Sequence, residues 1–114
     1  MRRKPSKWDA LLFLEEQPAA SQPTHYDYTD ADGQPLYRVT RRDGKRFAQA
    51  RYAPDKPDAD AEGYISGRGC MNGTPRVLYR LPQVVAAVSE GRPVYVVEGE
   101  KDADAMASRG HAAT

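Results

Sequence analysis

Two carboxylates four residues apart, Glu98 and Asp102, stand where an apolar run gives way to a glycine and a charged segment, in Val94-Tyr-Val-Val-Glu-Gly-Glu-Lys-Asp-Ala-Asp-Ala-Met106. Paired carboxylates are the hard oxygen ligands that Mg²⁺ prefers, and an ion held by them bridges and polarises phosphate oxygens. The chemistry to expect is metal-assisted phosphoryl transfer, with Glu98 as metal ligand or general base and Asp102 helping to hold the ion. Such chemistry needs both groups at one point in space. Val94 to Val97 is continuously apolar, without alternation, which predicts a parallel strand covered on both faces. Glu98 then falls at its carboxyl end, Gly99 permits a sharp turn, and Lys101 to Arg109 has helix-forming composition. With helical geometry beginning near Gly99, Glu98 and Asp102 share one side of the first turn. The plainer alternative is that both acids cap the helix and complement its dipole, for a few tenths to about 1 kcal/mol each. Glu100, Lys101 and Asp104 read as solvated helix residues, with Lys101 within reach of a phosphate.

This block resembles the first motif of the Toprim domain, the metal-binding fold of bacterial-type primases, type I and II topoisomerases, and some nucleases and recombination proteins. In that family a hydrophobic strand ends in Glu-Gly, and a second acid often follows four positions on. Glu98 and Asp102 are the residues that match. Upstream, Arg76-Val-Leu-Tyr-Arg-Leu-Pro82, a short helix and Gly91-Arg-Pro93 are similar to primases and primase-helicases of phages and mobile elements. The resemblance implies an α/β fold (α+β over the whole chain), Glu98 as catalytic residue, and Mg²⁺ held by Glu98 and Asp102. It implies template-directed nucleotidyl transfer in DNA replication, in which metal-held carboxylates activate a 3′-hydroxyl for attack on a triphosphate. Single-stranded DNA template, a replicative helicase and the remainder of the Toprim domain are the partners it suggests. A complete Toprim domain also needs a later strand ending in Asp-x-Asp. Asp-Ala-Asp occurs at 30–32, 58–60 and 102–104, but the first lies in a predicted hairpin turn, the second in a loop, and the third within the motif itself. The expectation is a fragment or truncated relative of a Toprim primase, with a weak or incomplete Mg²⁺ site and no activity alone. The alternative is a non-catalytic small protein of a phage or mobile element that binds nucleic acid or a replication protein. A nuclease or topoisomerase would keep the same Glu but require a nucleophile or further acids.

Composition narrows the remaining choices. A chain of 114 residues buries only about two-thirds of its unfolded surface, so its core is modest. Lys plus Arg of 17 against Asp plus Glu of 16, a net charge of +1, argues against a wholly electrostatic nucleic-acid binder. The single cysteine, Cys70, rules out an internal disulfide and a cysteine-based zinc site, and reads as a packed or loop thiol. No apolar run reaches membrane-spanning length, and Met1-Arg-Arg-Lys4 is not followed by a secretory core, so a cytoplasmic protein with no membrane contact is expected.

The elements that must position these groups fall into three regions. Residues 1–24 hold a short amphipathic helix over 6–17, with Trp8, Leu11, Leu12 and Leu14 on one face, and a Pro-containing linker. Residues 25–80 form an antiparallel β-rich region. Strands are predicted over Tyr26 to Thr29, Leu36 to Arg42 and Arg46 to Tyr52, joined by turns at Asp30 to Gly33 and Asp43-Gly44. An acidic, glycine-rich loop follows, with a short strand at Tyr64 to Ser66 and another at Val77 to Arg80. Gly67-Arg-Gly69 lacks the Gly-Lys-Ser/Thr ending of a phosphate-binding loop and reads as a turn. Residues 81–114 make the opening of a Toprim-like unit: a helix from Pro82 to Val88 or Glu90 closed by Gly91, the apolar strand, the helix after Glu98, and a second parallel strand from His111 to Thr114.

Arg38, Arg41, Arg42, Lys45, Arg46 and Arg51 crowd one stretch with only Asp43 opposing them. Arg38, Thr40 and Arg42 share a strand face, and with Arg46 and Arg51 on the next strand they make a candidate surface for a nucleic-acid backbone. Tyr26, Tyr28, Tyr37, Phe47 and Tyr52 fit base stacking and core packing equally well. The competing reading of the arginines is a solvated face balanced by nearby acids.

Overall fold

The computed structural model describes residues 23–42 and 46–114. The amphipathic helix predicted over 6–17, most of its linker and the Asp43-Gly44 turn lie outside the described residues. The fold is mixed α and β, with elements in the order β1 (Thr24–Thr29), β2 (Pro35–Arg41), β3 (Phe47–Tyr52), β4 (Tyr64–Ser66), α1 (Leu81–Ser89), β5 (Val94–Tyr95), α2 (Glu100–Ser108) and β6 (Ala112–Ala113).

The first four strands form an antiparallel sheet in the order β1-β2-β3-β4. Its first turn is built by Asp30, whose carboxylate accepts from the backbone N–H groups of Asp32 at 2.9 Å and Gln34 at 3.0 Å. Asp60 repeats the device before β4, accepting from Glu62 at 2.9 Å and Tyr64 at 3.0 Å. These bonds to Tyr64 and then Glu62 hold the Asp60 carboxyl below its ordinary pKa, against the opposing effect of desolvation. Two of the three Asp-Ala-Asp runs therefore contribute a turn-making aspartate, a role that short acceptor side chains fill well. Gly63 is required beside the second turn, because its φ is +94° and a Cβ there would meet the Tyr52 ring at 2.8 Å.

Cross-strand register sorts the sheet into two faces. Tyr37 lies opposite Tyr28 and Arg51, and Val39 opposite Tyr26 and Gln49. On the other face Arg38 lies opposite Asp27 and Ala50, and Thr40 opposite His25 and Ala48. The first face is the core side, where Tyr37, Val39 and Met71 are buried and Tyr28, Leu36, Cys70 and Val77 pack around them. Cys70 is a packed thiol there, its Sγ 3.4 Å from the Gln49 carbonyl.

Val77 to Arg80 is not a strand. The Tyr37 hydroxyl donates to the Val77 carbonyl at 3.4 Å and accepts from the Val77 N–H at 3.3 Å, taking backbone groups that a ladder needs. Arg80 then adopts the left-handed conformation at φ 60°, ψ 41° immediately before α1. Pro82 occupies the first turn of α1, as its missing N–H allows. Gly91 closes the helix at φ +72°, while the Arg92 N–H reaches the Ala87 carbonyl at 2.8 Å.

β5 and β6 pair in parallel, Val94 with Ala112 and Tyr95 with Ala113. The bonding continues one step further, since the Thr114 N–H reaches the Tyr95 carbonyl and the Val97 N–H the Thr114 carbonyl, each at 2.9 Å. Both helices pack against β6, each burying one alanine completely, Ala87 and Ala103. The expectation of a strand covered on both faces is corrected here: Tyr95 is 42% and Val96 83% exposed. Two short strands and two short helices do not supply enough neighbours to enclose four consecutive apolar residues. Among the described residues no helix is long and apolar enough to cross a membrane.

Candidate metal centre and basic sheet face

Glu98 leaves the strand pair directly after the Val97 hydrogen bond, at the carboxyl end of β5. Gly99 is the N-cap of α2 with extended backbone, φ −154° and ψ 170°, so Glu98 stands one residue outside the helix and Asp102 is its third residue. No side chain caps this helix. The reading of Glu98 as a cap is therefore not realised, while Glu100 and Asp102 in the first turn do complement the dipole. Glu98 and Asp102 are both exposed, and neither takes part in the ion pairs among the described residues. A shallow hollow of about 230 Å³ flanks Asp102, lined by Val97, Ala105, Met106 and Arg109.

The acids between and beyond them behave differently. Glu100, only 10% exposed at its side chain, accepts a hydrogen bond from the Tyr28 hydroxyl at 2.7 Å and lies 3.5 Å from Arg41. Asp104 accepts from the Tyr79 hydroxyl at 2.9 Å and from Arg80 at 3.3 Å. The expectation that Glu100 is solvated is thus corrected, while Asp104 is engaged by Tyr79 and Arg80 yet stays 42% exposed at its side chain. One turn apart on α2, the two acids form a seam in which Glu100 meets Tyr28 of β1 and Asp104 meets Tyr79 of the segment leading into α1. Burial first, and then the hydrogen bonds to these carboxylates, push the Tyr28 and Tyr79 hydroxyls well above the ordinary tyrosine range. Tyr79 completes the seam with an edge contact to Tyr26, centroids 6.0 Å apart, and a tilted one to Tyr28 at 5.1 Å, while Tyr28 stacks on Tyr37 at 4.6 Å. Tyr26, Tyr28 and Tyr37 are therefore packing residues. Lys101 is exposed on α2, as expected.

Among the described residues no group of three or more His, Cys, Asp or Glu side chains is placed to hold a metal ion. Gly99 is extended, so helical geometry does not carry back to Glu98, and Glu98 and Asp102 each offer one exposed carboxylate. Their hard oxygens suit Mg²⁺, and the open surroundings leave water to fill its remaining octahedral positions.

The basic stretch divides when it folds. Arg38 is 11% exposed at its side chain, bonds to Asp27 at 2.6 Å and to Glu62, and lies 4.2 Å over the Tyr64 ring. The hydrogen bond to Asp27 leads the effects that hold its guanidinium charged. Arg51 belongs to the opposite, core-side face, where its Nε donates to the Cys70 carbonyl at 2.9 Å. The expectation of Arg51 on a shared surface with Arg38 is corrected by residue parity: 38, 42 and 46 are even, 51 is odd, and the β2–β3 register skips no residue between them. Arg42 and Arg46 remain exposed beside one another, joined by the Arg42 N–H to the Arg46 carbonyl at 2.9 Å. Arg42 opens onto a groove of about 190 Å³ floored by Ala48 and Ala50 and edged by His25, Thr40 and Tyr64. Phe47 is exposed near them, with Arg41 5.3 Å over its ring.

Signals for the missed residues were present but incomplete. The i, i+4 spacing of Glu100 and Asp104 marks one helix face, and only the packing shows that this face meets tyrosines. Comparison with protein-family models, with curated proteins and with solved structures finds no match for the chain.

Proposed function

We propose that the chain is a fragment or shortened relative of a Toprim-type DNA primase, carrying the first half of a Mg²⁺ site and inactive in nucleotidyl transfer alone. The observation that carries this reading is the division of the four acids around α2. Glu100 and Asp104 are engaged by Tyr28 and Tyr79, whereas Glu98 at the strand end and Asp102 in the first helical turn stand exposed and unpaired among the described residues. Glu98 and Asp102 would hold Mg²⁺, which supplies charge neutralisation and orientation of phosphate oxygens. The chain's own contribution is to set the two carboxylates at the carboxyl end of a parallel strand, with α2 fixed from behind by the tyrosine seam. The helix amino terminus favours ionised carboxylates but repels a bare cation, so two acids give weak binding.

Mn²⁺ titration followed by paramagnetic broadening of amide signals tests the site. Broadening should centre on residues 98–102, saturate only at high metal concentration, and disappear in Glu98→Gln with Asp102→Asn. Tight binding that survives the double substitution contradicts the reading, as does primer synthesis by the purified chain.

A second reading is favoured by Arg42 and Arg46, exposed on the open sheet face beside the alanine-floored groove. It is a module of a cytoplasmic replication protein that contacts single-stranded DNA or a helicase without catalysis. Lys101, exposed on α2, is a further cation available to a phosphate. Salt-dependent binding of single-stranded DNA that is weakened, with a lower salt slope, in Arg42→Ala with Arg46→Ala, but unchanged in Glu98→Gln, separates it from the first.

A further inference from the structure

A cleft of about 240 Å³ opens between α1 and α2, beside the residues that lead into β5 and β6. Arg92 precedes β5 and His111 precedes β6, so the cleft lies at the amino ends of the parallel pair, whereas Glu98 lies at the carboxyl end of β5. Arg80, Arg92, His111 and Gln83 converge on it, and Ala86 and Ala107 leave it room. All four polar side chains are donors toward an oxyanion, the imidazole when its facing nitrogen carries a proton. Arg92 donates through Nε to Glu90 at 2.7 Å, which leaves its two terminal nitrogens uncommitted by that bond. Arg80 donates through one terminal nitrogen to Asp104, and its buried Nε has no partner among the described residues. Arg80 is also the one non-glycine described residue with positive φ, at 60°. Arg80 lines the cleft, and a strained backbone at a cleft wall is the arrangement from which a binding role is argued. His111 is steadied by Tyr95, the rings edge to face with centroids 5.5 Å apart.

We infer that this cleft is a binding site for a phosphoryl oxyanion, held by Arg80, Arg92 and His111 and separate from the carboxylate pair at Glu98. Guanidinium forks match phosphate oxygens in pairs, which a lone ammonium does not. The volume falls below the roughly 300–1,000 Å³ of sites that enclose a whole small molecule, so the cleft takes one or two phosphoryl groups and leaves any attached nucleoside outside. Glu90 and Asp104 partly offset the cations, which sets a modest affinity.

The full chain is titrated with inorganic phosphate, pyrophosphate and ATP at constant ionic strength, following backbone and arginine side-chain signals by nuclear magnetic resonance. Saturable shifts should concentrate at Arg80, Gln83, Arg92, Gly110 and His111, with pyrophosphate binding more tightly than phosphate and ATP within about twofold of pyrophosphate. Arg92→Ala should weaken pyrophosphate binding about tenfold, and His111→Ala severalfold, while Arg68→Ala, at an exposed arginine outside the cleft, leaves it unchanged. Arg80→Gly accepts the same backbone conformation, so loss of binding in a folded Arg80→Gly protein supports the site. Arg92→Ala and His111→Ala carry the test if that variant does not fold. Shifts that never saturate or that appear equally around Arg42, wild-type binding in Arg92→Ala and His111→Ala, or a tenfold preference for ATP overturn the inference.

Discussion

The four-stranded sheet and the β5–α2–β6 unit treat their charges in opposite ways. In the sheet Arg38 is enclosed by Asp27, Glu62 and the Tyr64 ring, and Asp30 and Asp60 are consumed in making turns. In the parallel unit Glu98 and Asp102 are exposed and without ion-pair partners among the described residues, next to an apolar strand that is itself uncovered at Val96. In the meander, register brings Arg38 face to face with Asp27, whereas Arg42 and Arg46 at the end of the β2–β3 pair stay exposed. A strand end followed by a helix leaves its acids pointing where no neighbouring strand reaches. The same residue types thus act as structure in one region and remain available for chemistry in the other. Glu100 and Asp104 are the exceptions in the second region, because they join it to the first.

The largest expected effect is on the sheet side, from removal of its core ring. Tyr37→Ala takes away a buried ring, its stack on Tyr28 and the hydroxyl that holds Val77. It should cost about 3–5 kcal/mol in urea unfolding. A loss below about 1 kcal/mol would mean that the sheet and the loop after Met71 do not depend on one another.

Next in size is a comparison within α2. Glu100→Ala strands the Tyr28 hydroxyl and should cost about 1–3 kcal/mol, whereas Glu98→Gln should stay within about 0.5 kcal/mol of the parent. Equal costs for the two substitutions would erase the distinction between structural and available acids.

Alkaline unfolding sharpens the same point with a smaller effect. Tyr28 and Tyr79 have folded pKa values raised by burial and by their carboxylate acceptors. Their contribution is complete below the unfolded tyrosine value of about 10 and is lost as pH rises from there toward the folded values. Stability should therefore decline above about pH 10, and Tyr28→Phe should flatten that decline. A decline of the same steepness in Tyr28→Phe and in the parent would assign it to other groups.

The smallest effect on folding belongs to the open face. Arg42→Ala with Arg46→Ala should change stability by less than about 0.5 kcal/mol, and should lower the salt dependence of any single-stranded DNA binding by about one unit for each phosphate no longer neutralised. Arg38→Ala should do the reverse, destabilising the sheet by removing a packed side chain that covers the Tyr64 ring and bonds Asp27 and Glu62. Unfolding and binding measured on both variants decide whether Arg38 belongs to the framework or to the interface.

Local signals in the sequence determined a large part of this architecture. Alternation and the turn chemistry of Asp30 to Gly33 marked β1 and β2, the Tyr64 to Ser66 strand was legible, and Pro82 and Gly91 bounded α1, because each depends on neighbours a few residues away. Glu98 at a strand end and Asp102 in the first helical turn were legible for the same reason. Arg51's separation from Arg38 was also there to be read, in the parity of their numbers along a regular hairpin. What the tertiary structure alone decided is which groups are occupied. That Arg38 is neutralised, that Glu100 and Asp104 grip Tyr28 and Tyr79, that Val77 bonds a tyrosine hydroxyl in place of a strand, and that Val96 is bare all depend on contacts between residues far apart in the chain. Composition and spacing specify what a side chain can do, but only the packed neighbours determine whether its charge or hydroxyl is already engaged.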